Sequence, residues 1–282
     1  MARYRMTIAY EGTGFHGWQR QWATVDAAGL PLDPAGERPP MRTVQHVVEE
    51  AVRQVVREPL EVMGASRTDA GVHAKAQTAA FSCSEEGPRP PDERLARAIN
   101  ARLASDALIV SCERTWEDFD PIRDCLEKGY RYLIDVGEDR PLWNRRMVHH
   151  VWTMPNVEAM REAGALLVGE HDFAGFTNAG HGRVSTVRRV TGLEVSRLDE
   201  RLIAIDVSGE GFLYNMVRII AGTLLEVGQG RFGVERVREA IEGGDRRKAG
   251  VTLPPTGLCL EWMRYPARRE DRPARAWEGD EE

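Results

Sequence analysis

The sequence predicts an α+β protein made of two ferredoxin-like βαββαβ halves with mainly antiparallel sheets flanked by helices. Three observations carry that expectation: apolar residues alternating with period two in short runs, apolar faces at helical spacing between those runs, and the same order of elements in both halves of the 282 residues. Tyr4, Met6, Ile8 and Tyr10 alternate as a half-buried strand. Val44, Val47, Val48, Ala51, Val52 and Val55 form one face of a helix that stops near Pro59, where proline cannot continue it. Strand-like runs follow at 60–65 and 76–83. A second helix at 92–103 places Leu95, Ala98, Ile99 and Leu103 on its apolar side, and 107–112 reads as another strand.

The second half repeats the order. A strand at 129–137 precedes a helix at 156–168 carrying Ala159, Met160, Ala163, Leu166 and Leu167, and a two-strand ribbon at 187–198 and 201–208 turns at Asp199-Glu200. A helix at 212–227 directs Met216, Ile219, Ile220, Thr223, Leu224 and Val227 inward, with Gly228 as the expected C-cap. A short extra helix at 234–242 and a strand at 258–265 complete the unit. The halves share no sequence repeat, so the duplication rests on element order. The expected division is 1–115, 116–267 and a charged, solvated tail at 268–282. The Pro/Gly-rich connection at 22–42 stands outside the scheme, as a functional flap or a disordered segment.

Composition narrows the function. No apolar run is long enough to span a bilayer, and the N-terminus lacks the basic, apolar and small-residue pattern of a signal peptide, so a cytoplasmic location is expected. The spacing of Cys83, Cys112, Cys125 and Cys259 matches neither a zinc site nor a compact disulfide framework, and the histidines form no helical HxxxH pair. Net charge is −6, yet only three of the 38 basic side chains are lysines, Lys75, Lys128 and Lys248. Arginine suits bidentate phosphate contact and stacking on bases, so the bias fits a local nucleic-acid patch as well as a base-composition effect of the genome.

The most informative stretch is Gly64-Ala65-Ser66-Arg67-Thr68-Asp69-Ala70-Gly71-Val72-His73. A carboxylate, a guanidinium and glycines lie in one short loop after a strand-like run, with Arg67 close enough in sequence to favour an ionised Asp69. An ionised aspartate can attack an electrophilic carbon; an ordinary polar turn has the same composition. Three further features accompany it. Tyr10 to Arg20 is a glycine-spaced loop with Trp18 and Arg20, which suit RNA contact, although Trp18 equally suits the core. Tyr130-Arg131-Tyr132 places both tyrosines on one strand face. Phe212 to Arg218 opens an apolar helix with an arginine that needs a partner if buried.

Together these residues resemble the tRNA pseudouridine synthase A family from about Tyr4 to Tyr265, and His171-Asp172-Phe173 and Pro255-Thr256-Gly257-Leu258 match it in the same order. The resemblance implies the pseudouridine synthase architecture, with Asp69 as nucleophile, Tyr130 against the target base, Arg218 paired with the catalytic aspartate, and Arg67 in base extrusion. It implies a homodimer without metal or cofactor that isomerises uridines 38, 39 and 40 in the anticodon arm of tRNA. Arg20 and His73 join the substrate-binding candidates, with His73 expected to order the loop. The chain departs from the family at Phe119-Asp120-Pro121-Ile122-Arg123, where isoleucine occupies the usual arginine position. Two rivals remain at this point: a non-catalytic RNA-binding protein of the same fold, and a metal-dependent hydrolase using Asp69 and His73.

Overall fold

A computed structural model describes residues 1–26, 38–178 and 185–272. The chain forms two compact units, Met1–Asp124 and Cys125–Glu282. In the first, β1 (Ala2–Tyr10), α1 (Val44–Val56), β2 (Met63–Gly64), β3 (His73–Cys83), α2 (Asp92–Asn100) and β4 (Ala107–Arg114) follow the expected βαββαβ order. Their sheet runs β4-β1-β3-β2 with every neighbouring pair antiparallel. That is the ferredoxin-like order, in which each crossover helix joins strands separated by one other. Alternation is strict along β1, where Tyr4, Met6 and Ile8 are fully buried. Thr43 caps α1 by accepting from the His46 N–H, and Arg57, in the left-handed region at φ 58°, ends it before Pro59. Residues 116–124 belong to this unit: the Phe119 carbonyl accepts from Arg3 Nε and Nη2 at 3.1 and 2.9 Å.

The second unit contains β5 (Glu127–Val136), β6 (His149–Val151), α3 (Val157–Ala165), β7 (Gly169–Asp172), β8 (Val187–Arg197), β9 (Leu202–Gly209), α4 (Met216–Gly228), α5 (Glu235–Gly243) and β10 (Leu258–Arg264). The order β10-β5-β9-β8 repeats the arrangement of the first sheet. Two short strands extend it: β7 pairs antiparallel with β8, and β6 pairs parallel with β5. Neither was expected, because three or four residues are too few to display a period.

Two details of α4 differ from expectation. The helix starts at Met216, since Asn215 occupies the left-handed region at φ 61° and residues 212–215 lie outside the helix. The C-cap is Gln229 at φ −83°, and Gly230 takes the positive φ of 71°. Gly228 serves packing instead, since a Cβ there would lie 2.7 Å from Met160 Cγ on α3.

The ends of the 22–42 connection pair with each other. Trp22 bridges Pro40, Ala23 N–H donates to the Pro39 carbonyl at 2.9 Å, and Met41 N–H donates to that of Gln21 at 2.8 Å. The interior of that connection and most of the 268–282 tail lie outside the described residues. Among the described residues no helix is long and apolar enough to cross a membrane.

Candidate active site

The loop 64–73 joins β2 to β3, and distant backbone and neutral side chains hold its shape. Gln77, fully buried on β3, accepts from Ser66 N–H at 3.2 Å and donates to the Ser66 carbonyl at 2.5 Å. Thr68 is buried; its hydroxyl meets Tyr10 Oη at 2.8 Å and its carbonyl accepts from Trp18 N–H at 3.0 Å. The Asp69 carbonyl accepts from Val72 N–H at 3.1 Å, and Gly71 takes φ 83° to close the turn. With its neighbour Thr68 anchored inward, Asp69 is left half-exposed and Arg67 exposed. Arg67 forms no salt bridge among the described residues, and the contacts of Ser66, Thr68 and the Asp69 carbonyl hold the loop's shape.

The glycine-spaced loop after β1 lies directly against this one. A Cβ on Gly12 would fall 2.0 Å from the Val72 carbonyl oxygen, so only glycine admits the approach. Gly17 has φ 84°, and its Cβ would lie 2.8 Å from the Thr68 carbonyl oxygen. Trp18 is core: it is 1% exposed and its ring fills the space above Gly64, where a Cβ would meet it at 2.2 Å. His73 is buried at the start of β3, and its Nδ1 accepts from Gly12 N–H at 3.0 Å. That bond takes up the lone pair of Nδ1 and places the ring proton of the neutral imidazole on Nε2. A buried bond of this kind contributes about 1 kcal/mol and links the two loops directly.

Arg20 has a partner that sequence reasoning missed. Its guanidinium pairs with Glu49, which is 1% exposed on α1 and also pairs with Arg53 at 2.6 Å. Glu49 Oε2 accepts from Val62 N–H at 3.0 Å, and Gln45 bridges Arg20 N–H (2.8 Å) to the Val62 carbonyl (2.8 Å). A buried carboxylate compensated in this way braces both loops from α1. The acid at position 49, on the buried side of a valine-rich helix, was the signal that could have revealed it.

In the second unit, Tyr130 and Tyr132 are both buried, while Arg131 forms a bidentate pair with Asp206 at 2.7 and 3.0 Å. Strand alternation therefore separates them as expected. Tyr130 meets Phe212 edge-to-face, with ring centroids 5.4 Å apart. The preceding Gly129 leaves room for the Trp262 ring, which a Cβ would meet at 2.3 Å. Tyr132 donates to the Pro254 carbonyl at 2.8 Å, and burial pushes its phenol well above the usual range despite the opposing influence of Arg218.

Arg218 lies in the first turn of α4 and is half-buried. Its Nε donates to the Leu253 carbonyl at 2.8 Å and its Nη1 to Asn215 Oδ1 at 2.7 Å. Leu253 is brought there by missing side chains: a Cβ on Gly222 would lie 1.9 Å from the Val251 carbonyl oxygen, and one on Gly250 2.6 Å from Thr223 N. These two acceptors fix the plane of the guanidinium.

The remaining motif residues are structural by their contacts. Asp172 Oδ1 accepts from Ala174 N–H at 3.0 Å and from Thr186 Oγ1 at 2.5 Å, and Phe173 packs on Phe176. At the position of departure, Ile122 is 44% exposed and Arg123 turns back to Asp120 at 3.2 Å. Among the described residues no group of three His, Cys, Asp or Glu side chains could hold a metal ion.

Comparison with known proteins identifies the relatives of the chain. A family model described as tRNA pseudouridine synthase matches residues 163–266. Tyr130 and the loop carrying Asp69 fall outside that match, but full-length relatives extend over them. The chain is 40% identical over 265 residues to tRNA pseudouridine synthase A 2 of Clostridium perfringens, covering 94% of this chain and all of that one. Identity is 39% to tRNA pseudouridine synthase A of Ruminiclostridium cellulolyticum and 37% to that of Geobacter sulfurreducens, with the same coverage. A solved archaeal box H/ACA sRNP Nop10–Cbf5 complex aligns with a TM-score of 0.32 at 13% identity, over 76% of this chain and 54% of that one. On the strength of the end-to-end identity to its relatives, this chain belongs to the tRNA pseudouridine synthase A family.

Proposed function

We propose that the protein isomerises uridines 38, 39 and 40 in the anticodon arm of tRNA to pseudouridine, with Asp69 as the nucleophile. The observation that carries the assignment is the loop 64–73, whose backbone is clamped through Ser66, Thr68 and Gly12 while the Asp69 side chain is left half-exposed. In the reaction the N1–C1′ bond breaks, the uracil turns, C5 bonds to C1′, the hydrogen on C5 leaves as a proton, and N1 takes up a proton in its place. Asp69 attacks C6 of the ring or C1′ of the ribose and is released unchanged. The uridine must first leave the stack, at a cost of a few kcal/mol. Arg67, exposed beside Asp69, takes the role of filling the gap, and Tyr130 that of stacking on the base.

Arg218, its plane fixed by Leu253 and Asn215, supplies positive charge to the reaction centre. Arg20 and His73 act on substrate through the loops that they brace. A homodimer in the cytoplasm, working without metal or cofactor, completes the proposal.

The test is tritium release from tRNA carrying [5-³H]uridine, with wild type and Asp69→Ala compared in the presence of chelator. Release by wild type alone supports the assignment. Wild type that binds tRNA tightly yet releases nothing would make this a binding protein of the same fold, and release by Asp69→Ala would transfer the chemistry to another residue.

A further inference from the structure

The second unit contains a cavity of about 570 Å³ whose lining includes Arg140, Arg145, His149, His150, Trp152 and Thr256. That volume lies within the range of sites for small ligands. Its lining has two guanidiniums, two imidazoles and an indole, and no carboxylate. The Arg140 guanidinium lies 5.7 Å from the centroid of the Trp152 ring, which His150 meets edge-to-face at 4.6 Å. Trp152 is 59% exposed, and both arginines are exposed.

The wall behind these groups is held in place. Buried Asp135 accepts from His150 Nδ1 and from Arg201 Nη2, each at 2.9 Å, which orients the imidazole. His149 and Tyr132 meet edge-to-face with ring centroids 6.4 Å apart, and Thr256 precedes Gly257, whose Cβ would lie 2.6 Å from the Tyr132 ring. The cavity is thereby braced against the strand that carries Tyr130.

We propose that this cavity binds one nucleotide of the tRNA other than the reacting uridine, with Arg140 and Arg145 on a backbone phosphate and Trp152 stacked on a base. The inference rests on the tRNA assignment above. A chain of net charge −6 repels a polyanion as a whole, so binding depends on local concentrations of guanidinium. An exposed indole beside two guanidiniums matches the phosphate–base unit of RNA.

Fluorescence anisotropy with an unmodified full-length tRNA transcript tests the proposal. Arg140→Ala/Arg145→Ala is expected to weaken binding about tenfold and to make the dependence of log Kd on log salt shallower by roughly one, since each phosphate contact contributes about 0.9 to that slope. The loss should fall on KM rather than kcat. Trp152→Ala should weaken binding about 5- to 150-fold, as expected for one lost stacking contact, with Trp152→Phe retaining most of it.

Unchanged affinity and slope in all of these variants would overturn the proposal. So would a loss that light scattering shows to accompany a change in oligomeric state, which would assign the cavity to contact between copies. Tritium release by wild type separates the two levels: its absence sinks the synthase assignment, whereas normal release with unaffected variants sinks only the nucleotide site.

Discussion

In the first unit the candidate nucleophile sits on a loop shaped by groups distant in sequence; in the second, Tyr130 and Arg218 sit on a strand and a helix shaped by their own periodicity. The loop relies on Gly12 and Gly17 for close approach, on Gln77 and Tyr10 for hydrogen bonds, and on the Glu49 pairings for bracing from α1. The strand and helix rely on burial, with neutral contacts such as Arg218 to Leu253 adjusting the final orientation. Aspartate is thus presented by irregular backbone and the aromatic and cationic groups by regular backbone. Disturbance of a single contact should therefore spread further in the loop, where no repeating ladder of hydrogen bonds absorbs it.

The sharpest test of that contrast is Asp69→Asn. It should keep tRNA affinity within a few fold while lowering the rate of tritium release on the order of 10⁴-fold or more, as for other lost nucleophiles. Substantial residual turnover would remove the aspartate from the mechanism. Next comes Gly12→Ala, which forces backbone against the Val72 carbonyl. A cost of about 3 kcal/mol is expected, with loss of activity exceeding the loss of folded protein at the assay temperature. Thermal melts alongside turnover decide this, and a variant of normal activity would show that the loop tolerates displacement.

Tyr130 should respond less. Tyr130→Leu is expected to lose about 1–3 kcal/mol of stacking in kcat/KM, and Tyr130→Phe considerably less because the ring remains. Equal losses would point to the hydroxyl. The smallest effect concerns His149, whose pKa is held down first by burial and then by His150. A lowered pKa means the folded state takes up its proton later than the unfolded one, so the contribution is present above the ordinary histidine range and declines as pH falls through it. The melting temperature of wild type should drop on acidification through about pH 6.5, and that of His149→Gln should drop less. Identical pH profiles would place the titration elsewhere.

The two units also differed in how well they could be read. The alternation at Tyr4, Met6 and Ile8, the valine-rich face of α1 and β9 were legible because period and burial coincide there. α4 was foreseen but began four residues late, because the left-handed Asn215 interrupts an otherwise continuous apolar run. β6 and β7 escaped notice through shortness. At the candidate site the motif residues themselves were visible, whereas the Arg20–Glu49 pair was not: it joins residues 29 positions apart, and no local pattern encodes such a partner.

The two βαββαβ successions, the residues of the aspartate motif and the kinship they express follow from order, spacing and side-chain identity along the chain. That Trp18 is core, that His73 Nδ1 is taken by Gly12, that Arg20 braces α1, and that Arg140, Arg145 and Trp152 line one cavity emerges only in three dimensions. Those outcomes depend on which surfaces meet once the apolar faces are buried, and close packing settles that competition among partners far apart along the chain.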